Sequence, residues 1–197
     1  MLEDRSGSCK SVEVIYFEEP GIQNTDETLK HAYRRAEELG IKDVVVASTT
    51  GETGVKACRV FKGFNIVVVR HHTGFRQPGM QEMKKEFEEE IIKMGGKILT
   101  ASHVFSGVER GIRNKLGTVG MLAIISETLR LFGEGVKVCV EITVMAADAG
   151  LIPVDKDVIV VAGTSRGADT ALVIKPSHSN NFFNLTIREI IVKPITR

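Results

Sequence analysis

Short runs of β-branched residues alternate along the chain with longer stretches of helical periodicity. The runs at 12–17, 44–47, 65–70, 97–101 and 158–162 are each predicted strands. Between them, apolar residues recur every three or four positions, as on the buried side of an amphipathic helix. Strands that are apolar on both faces alternate with helices in domains built on a parallel sheet. The pattern therefore predicts an α/β fold with helices on both faces of the sheet.

Helices are predicted in the stretches between these strands. The first has Asn24 or Thr25 as its N-cap and ends at Gly40, and its first turn carries Asp26 and Glu27. The others extend to about 61 after a loop at 48–54, from about 83 to 94, and from 118 to 132.

The last third of the chain is less clear in its pattern. Residues 136–150 alternate as a strand would but also fit a helical stripe, and intrinsic propensity favours the strand. Residues 170–174 are predicted to pair with the strand at 158–162 across a turn at 163–169, and 185–192 to add an edge strand. No repeat, linker or low-complexity segment divides the chain, so residues 1–197 are predicted to form one domain.

Composition narrows the class of protein. The chain has 26 Lys and Arg against 25 Asp and Glu, a formal charge of +1 that gives no broad footprint for nucleic acid or a membrane surface. No apolar run approaches the roughly 18 residues of a membrane span. Cys9, Cys58 and Cys139 show no CxxC spacing, so neither a disulfide framework nor a metal site is expected. We expect a cytoplasmic protein.

The sequence STTGETG at 48–54 follows a predicted buried strand and opens a helix. Free N–H groups and the positive end of the helix dipole meet there, and hydroxyl groups add neutral donors, so the loop favours a phosphate. Glu52 is expected to face solvent. The alternative is that these residues only cap the helix and make a turn. The loop is not a Walker A motif, since no GK[ST] follows Gly51 at the required spacing.

A second glycine-bearing loop, GTSRGADT at 163–170, follows the strand at 158–162. Arg166 could clamp an anion there, whereas the alternative is a polar hairpin with a solvated arginine. Both loops leave the carboxyl ends of strands, where ligands bind in open α/β sheets.

Histidine and phenylalanine residues in other loops give weaker signals. Neighbours on a strand point to opposite faces, which disfavours a metal site at His71 and His72. His103 is expected to be a hydrogen-bonded structural residue. Phe75, Phe182 and Phe183 are expected to lie in the core.

Two long stretches resemble the C-terminal α/β domain of pyruvate kinase. They are 24–54, with the STTGETG loop, and 146–174, with AADAGLIP, VIVVAG and GADTALVI. The resemblance implies a three-layer sandwich with a mostly parallel sheet, one antiparallel strand and edge additions, and makes 136–150 mainly helix. Pyruvate kinase activity is not expected, because the catalytic barrel alone takes about 250 residues.

The whole chain looks similar to stand-alone archaeal proteins of this type, with matching stretches at 72–75, 137–143, 165–170 and 180–183. That family is of unsettled function and is associated with flavin mononucleotide (FMN). The resemblance implies FMN as cofactor, its phosphate on the first loop and its ring toward the loops of Thr73, His103 and Arg166. The implied binding residues are Ser48, Thr49, Thr50, Gly51, Thr53, Gly54, Thr73, Gly74, His103, Arg166 and Gly167.

Binding of a phosphorylated ring compound is thus the function expected first. One alternative is a flavin-dependent oxidoreductase or phosphoester hydrolase that uses His103, Glu141 or Asp148 in the same pocket. Another is an oligomerisation or regulatory module. The expected partner is a phosphorylated small molecule, with no nucleic acid or membrane, while self-association and catalytic residues stay open.

Overall fold

The computed structural model describes residues 9–196 and contains one seven-stranded sheet. The strands are β1 (Ile15–Phe17), β2 (Asp43–Ala47), β3 (Asn65–Arg70), β4 (Lys97–Thr100), β5 (Val158–Ala162), β6 (Thr170–Lys175) and β7 (Thr186–Pro194). The α-helices of this part of the chain are α1 (Thr25–Leu39), α2 (Glu52–Val60), α3 (Lys85–Lys93), α4 (Gly107–Leu116), α5 (Met121–Arg130) and α6 (Glu134–Asp148). The prediction of a single domain for 1–197 also includes residues outside the described part.

The strand order is β1-β7-β6-β5-β2-β3-β4. β6 runs antiparallel to both β5 and β7, and every other pairing is parallel. This confirms the predicted fold class, a mostly parallel sheet with one reversed strand. The strand predicted at 185–192 was wrongly placed at the edge, because β7 lies between β6 and β1.

Helices cover both faces of the sheet and create two apolar cores. On one face, α1, α2 and α3 bury residues such as Leu29, Val55 and Ile91 against the sheet. On the other face, α6 buries Val140 and Met145, with α5 packed beside it. The valines of β2 alternate between the two cores, which is why this strand is apolar at consecutive positions.

The ends of α1 differ from one another in how they are stabilised. Gly40 adopts a left-handed conformation with φ of 67° and ends the helix as predicted. Asn24 occupies the N-cap position but its side chain makes no cap, since its amide donates to the Glu19 carbonyl instead. The Thr25 hydroxyl donates to the Ile22 carbonyl at 2.6 Å.

The segment between β4 and β5 departs most from the sequence prediction. The helix predicted at 118–132 is shorter, at Met121–Arg130, and α4 precedes it unpredicted. No residue of α4 is buried, and its two glycines are weak helix formers, so the sequence favoured a helix here only weakly. The helical interpretation of 136–150 is confirmed, and α6 is the helix packed across the sheet centre.

The chain order places a switch point between β2 and β5. From β2 the chain moves outward through β3 to β4, and it then returns across the sheet to β5 on the other side of β2. The loops after β2 and β5 therefore leave the same edge of the sheet in opposite directions and open a crevice between them. No helix within residues 9–196 is both long and apolar enough to cross a membrane.

Candidate functional site

A cavity of about 360 Å³ lies in this crevice at the carboxyl ends of the parallel strands. Its wall comes from the loops after β2, β3, β4 and β5 and from polar residues of α4, α5 and α6. Both loops that the sequence singled out therefore meet at one cavity. Its volume lies within the usual range for small-molecule sites, roughly 300–1,000 Å³.

The N-terminus of α2 forms one end of this cavity. Ser48 is only 4 % exposed, and its hydroxyl oxygen accepts the Gly54 N–H at 3.1 Å. Among the described residues, no protein acceptor is found for the backbone N–H groups of Thr50, Gly51, Glu52 and Thr53. These N–H groups, together with the helix dipole, make this end of the cavity suited to an anion.

The predicted binding residues divide into two sets. Those on the cavity wall are Ser48, Thr49, Thr50, Thr53, His103, Arg166 and Gly167. Gly51, Gly54, Thr73 and Gly74 are not part of that wall. Thr73 is exposed, while Gly54 packs so closely against Val68 and Ile91 that a Cβ atom would lie within 3 Å of both. Glu52 is exposed at the rim, as expected.

The loop after β5 is fixed by one buried carboxylate. Asp169 is fully buried, and its Oδ2 atom accepts the N–H groups of Gly21 and Thr164, each at 3.1 Å. Its Oδ1 atom accepts the Thr170 hydroxyl at 2.8 Å. Gly167 has φ of 75° and leaves no room for a Cβ atom beside Thr25. The loop is therefore tied to the start of α1, and exposed Arg166 is carried on a rigid support.

Positive charge dominates the wall of the cavity although the chain is nearly neutral. The cationic residues of the wall are Lys56, Arg70, Arg76, Arg110, Arg130, Lys137 and Arg166, against the carboxylates of Glu52, Glu82, Glu134 and Glu141. Arg110 and Arg166 have no carboxylate partner among residues 9–196. An anionic ligand would thus find unpaired positive charge there.

Aromatic rings form another part of the wall. The rings of His71 and Phe75 are stacked with centroids 3.9 Å apart, and His103 lies 5.4 Å from each. His72 also contacts His103, at 5.7 Å, and the Arg110 guanidinium lies 4.3 Å from the Phe75 centroid. Phe75 was expected in the core but is half-buried at the cavity. The His71 ring and the Arg110 guanidinium cover the two faces of the Phe75 ring.

His103 is half-buried and lacks, at Nδ1, the hydrogen bond expected from the sequence. That atom is buried and has no partner among the described residues. Burial lowers the pKa of His103 to about 4; the Glu141 carboxylate opposes this shift, and electrostatic interaction with His71, Lys137 and His72 adds to it. The imidazole is therefore neutral at pH 7.

Lys137 and Glu141 form a buried ion pair on α6 beside the cavity. They are 6 % and 2 % exposed, and Nζ lies 2.5 Å from Oε2. The Glu141 Oε1 atom accepts the Phe105 N–H at 3.1 Å, so both carboxylate oxygens are satisfied. The ammonium has two further N–H groups, and it lines the cavity. Asp148, the other acid considered, binds the Ser179 N–H and does not line the cavity.

The sequence analysis missed several residues of this site, including Arg110, Arg130 and Lys137. Arg110 lies on the unpredicted α4, and Lys137 carried a signal only once 136–150 was assigned to a helix, where it and Glu141 are one turn apart.

Cys58 and Cys139 are buried and not activated as nucleophiles. Burial raises the pKa of Cys58 to about 11, and raises that of Cys139 well above its ordinary value. Within residues 9–196, no three His, Cys, Asp or Glu side chains are grouped so as to hold a metal ion.

A profile of the pyruvate kinase α/β domain matches residues 26–174, which is most of the sheet and both loops of the cavity. The chain belongs to the pyruvate kinase α/β domain family. Among solved structures, a pyruvate kinase from Cryptosporidium parvum is 14 % identical, with a TM-score of 0.40, and the match covers 78 % of this chain and 23 % of that one. The C. parvum enzyme in complex with ADP is also 14 % identical, with a TM-score of 0.38 over 88 % of this chain and 24 % of that one.

A hydrogen sulfide-producing enzyme is 19 % identical, with a TM-score of 0.28 over 47 % of this chain and 28 % of that one. In each of these three matches the aligned region spans less than a third of the other protein.

Proposed function

We propose that this pyruvate kinase α/β domain protein binds a phosphorylated ring compound, with FMN as the first ligand to test. The observation that carries the proposal is the row of backbone N–H groups at the start of α2, which lack protein acceptors among the described residues and of which those of Thr50, Glu52 and Thr53 belong to residues of the cavity wall. Thr50 and Thr53 add hydroxyl groups to the same wall. Such an arrangement matches the donors that phosphate takes at helix N-termini.

The rest of the cavity is consistent with an aromatic ring attached to that phosphate. The rings of Phe75 and His71 supply apolar contacts, while neutral His103 and the spare N–H groups of Lys137 supply polar contacts. The unpartnered Nδ1 atom of His103 also fits a polar ligand in this part of the protein better than a dry core. The resemblance to stand-alone archaeal proteins favours FMN among phosphorylated ring compounds. FMN would supply an absorbing, redox-active ring.

The test is a comparison of FMN with riboflavin, which has the same ring but no phosphate. We expect FMN to bind with quenching of its fluorescence, and riboflavin to bind at least about tenfold more weakly, because charge-assisted hydrogen bonds of roughly 1.5–3 kcal/mol are lost. Inorganic phosphate should compete with FMN.

Two results would count against the proposal. If FMN fails to bind at millimolar concentration, the ligand is wrong. If riboflavin binds as tightly as FMN, the start of α2 does not hold the phosphate.

A further inference from the structure

Helix α4 presents its apolar side to solvent. Val108, Ile112 and Leu116 are spaced four residues apart and therefore share one side of the helix. They are 81 %, 45 % and 66 % exposed. Arg110 lies on the opposite side, where its guanidinium contacts the Phe75 ring at the cavity. On α4, therefore, the apolar side faces solvent and the side with Arg110 faces the rest of the protein.

Helix α5 follows α4 and also exposes apolar side chains. Ile125 and Leu129 pack against the core below α5, whereas Met121 and Ile124 are 83 % and 60 % exposed. The Glu109 carboxylate of α4 accepts the Ala123 N–H at 3.3 Å, so the first turns of the two helices meet.

Val119, in the connection between the two helices, is 71 % exposed. We call the surface made by Val108, Ile112, Leu116, Val119, Met121 and Ile124 the α4–α5 face.

We propose that the α4–α5 face binds the same face of a second copy of this chain. Its six side chains expose on the order of 800 Å², which is what one partner contributes to a standard protein interface of about 1,600 Å². Patches of this size are rarely left open on monomeric proteins. Two such helix pairs related by a two-fold axis would bury their stripes as in a four-helix arrangement.

The charges around the face favour a second copy over other occupants. Helix α4 carries Arg113, Lys115 and Glu109, and α5 carries Glu127, so the two helices have charges of both signs. A mixed rim around an apolar centre is typical of protein interfaces, whereas surfaces for anionic lipid are predominantly basic. Dimerisation through the α4–α5 face does not require a ligand in the cavity.

The experiment is analytical ultracentrifugation of the full chain and of Ile112→Glu and Met121→Glu across a dilution series. We expect the unchanged protein to sediment at twice the mass of the chain. Each variant should have a dissociation constant raised at least about thirtyfold, since a carboxylate would be buried unpaired. Both side chains are exposed, so circular dichroism should show an intact fold.

Phe183→Glu is the matched control, because Phe183, wrongly predicted to lie in the core, is 88 % exposed and lies outside the α4–α5 face. It should leave the mass unchanged. A monomeric unchanged protein at every concentration overturns the proposal, as does an assembly that both α4–α5 variants leave intact. A monomer that binds anionic vesicles through this face would assign the surface to lipid instead.

Discussion

At the residue scale, Ser48 and Thr53 carry similar hydroxyl groups but serve different roles. The Ser48 oxygen already accepts the Gly54 N–H, so Ser48 braces the first turn of α2. Thr53 lines the cavity with a hydroxyl that has no protein partner among the described residues, and the same holds for Thr50. Threonine hydroxyls are therefore the more sensitive test of ligand binding.

We predict that Thr50→Val and Thr53→Val each weaken FMN binding by about 1.5–3 kcal/mol, since each removes a donor to a charged phosphate. Valine has nearly the same shape, so thermal unfolding should change little. Fluorescence titration measures the effect. Thr73→Val is the control, because Thr73 is exposed and lies outside the cavity wall. Equal affinity of all four proteins would place the phosphate elsewhere.

His103 predicts a dependence of stability on pH. Its pKa in the folded protein is about 4, below the ordinary 6.5, so the unfolded chain binds the extra proton between these values. Stability therefore falls as the pH is lowered from about 6.5 to 4, and this contribution is of order 2–3 kcal/mol.

The measurement is urea unfolding of the unchanged protein and of His103→Phe over this pH range. The variant keeps a ring but has no titrating group, so its unfolding free energy should fall less steeply. Plots of unfolding free energy against pH for the two proteins should run parallel from pH 7 to 8. Parallel curves over the whole range would show that His103 is not the group responsible.

At the scale of elements, the start of α2 depends on its packing against α3. Gly51 has φ of 102°, and a Cβ atom there would lie 2.5 Å from Phe87 Cβ. We predict that Gly51→Ala lowers the free energy of unfolding by about 2–4 kcal/mol, through backbone strain and overpacking together. It should also weaken FMN binding, because the N–H groups of the turn would shift.

Gly63→Ala separates strain from packing in this experiment. Gly63 has φ of 84° but nothing lies within 4 Å of the added methyl group. Its cost should be only about 1 kcal/mol, with no effect on the ligand. Chemical denaturation measures both variants. Similar losses for the two glycines would mean that contact with Phe87 is unimportant.

The elements that sequence alone predicted well are those with a strong local pattern. β3 and β5 were predicted at their observed bounds, because runs of β-branched residues covered on both faces have few alternatives. α6 could not be separated from a strand by periodicity, since nearly every residue of it is buried. α4 was missed although Val108, Ile112 and Leu116 recur every four residues, because its glycines and Asn114 are weak helix formers.

At the scale of the whole molecule, one ion pair joins helix α1 to strand β7. The Arg35 guanidinium on α1 binds both carboxylate oxygens of Glu189 on β7, at 2.7 and 2.8 Å. Both side chains are mostly buried. The hydrogen bonds from Arg35 lower the pKa of Glu189 below its ordinary 4.5.

We predict that Glu189→Gln destabilises the protein by about 1–2 kcal/mol at pH 7. A carboxyl group with a lowered pKa in the folded state contributes stability above pH 4.5, and this is lost as the pH falls through the folded value. The difference between the two proteins should therefore vanish in strong acid. The exposed Glu37, paired with Lys42, is the control, and Glu37→Gln should change stability by less than about 0.5 kcal/mol.

The candidate site was predictable only in part because it is assembled from distant segments. The 48–54 and 163–170 loops carried local signals, and the switch point between β2 and β5 brings them to one cavity. Arg110 and Lys137 reach it from helices whose positions depend on the return path of the chain from β4 to β5. Such placement is a property of packing between elements, which no local pattern encodes.

Helix α4 has Arg110 against the cavity and an apolar stripe on its other side. If a ligand in the cavity orders α4 through Arg110, it also orders the apolar stripe that would bind a second copy of the chain. Dimerisation would in turn favour ligand binding, with the same coupling free energy. Protein concentration would then act as an effector: dilution should weaken FMN binding, and saturation with FMN should raise the association constant of the dimer by the square of the same factor, because a dimer holds two sites.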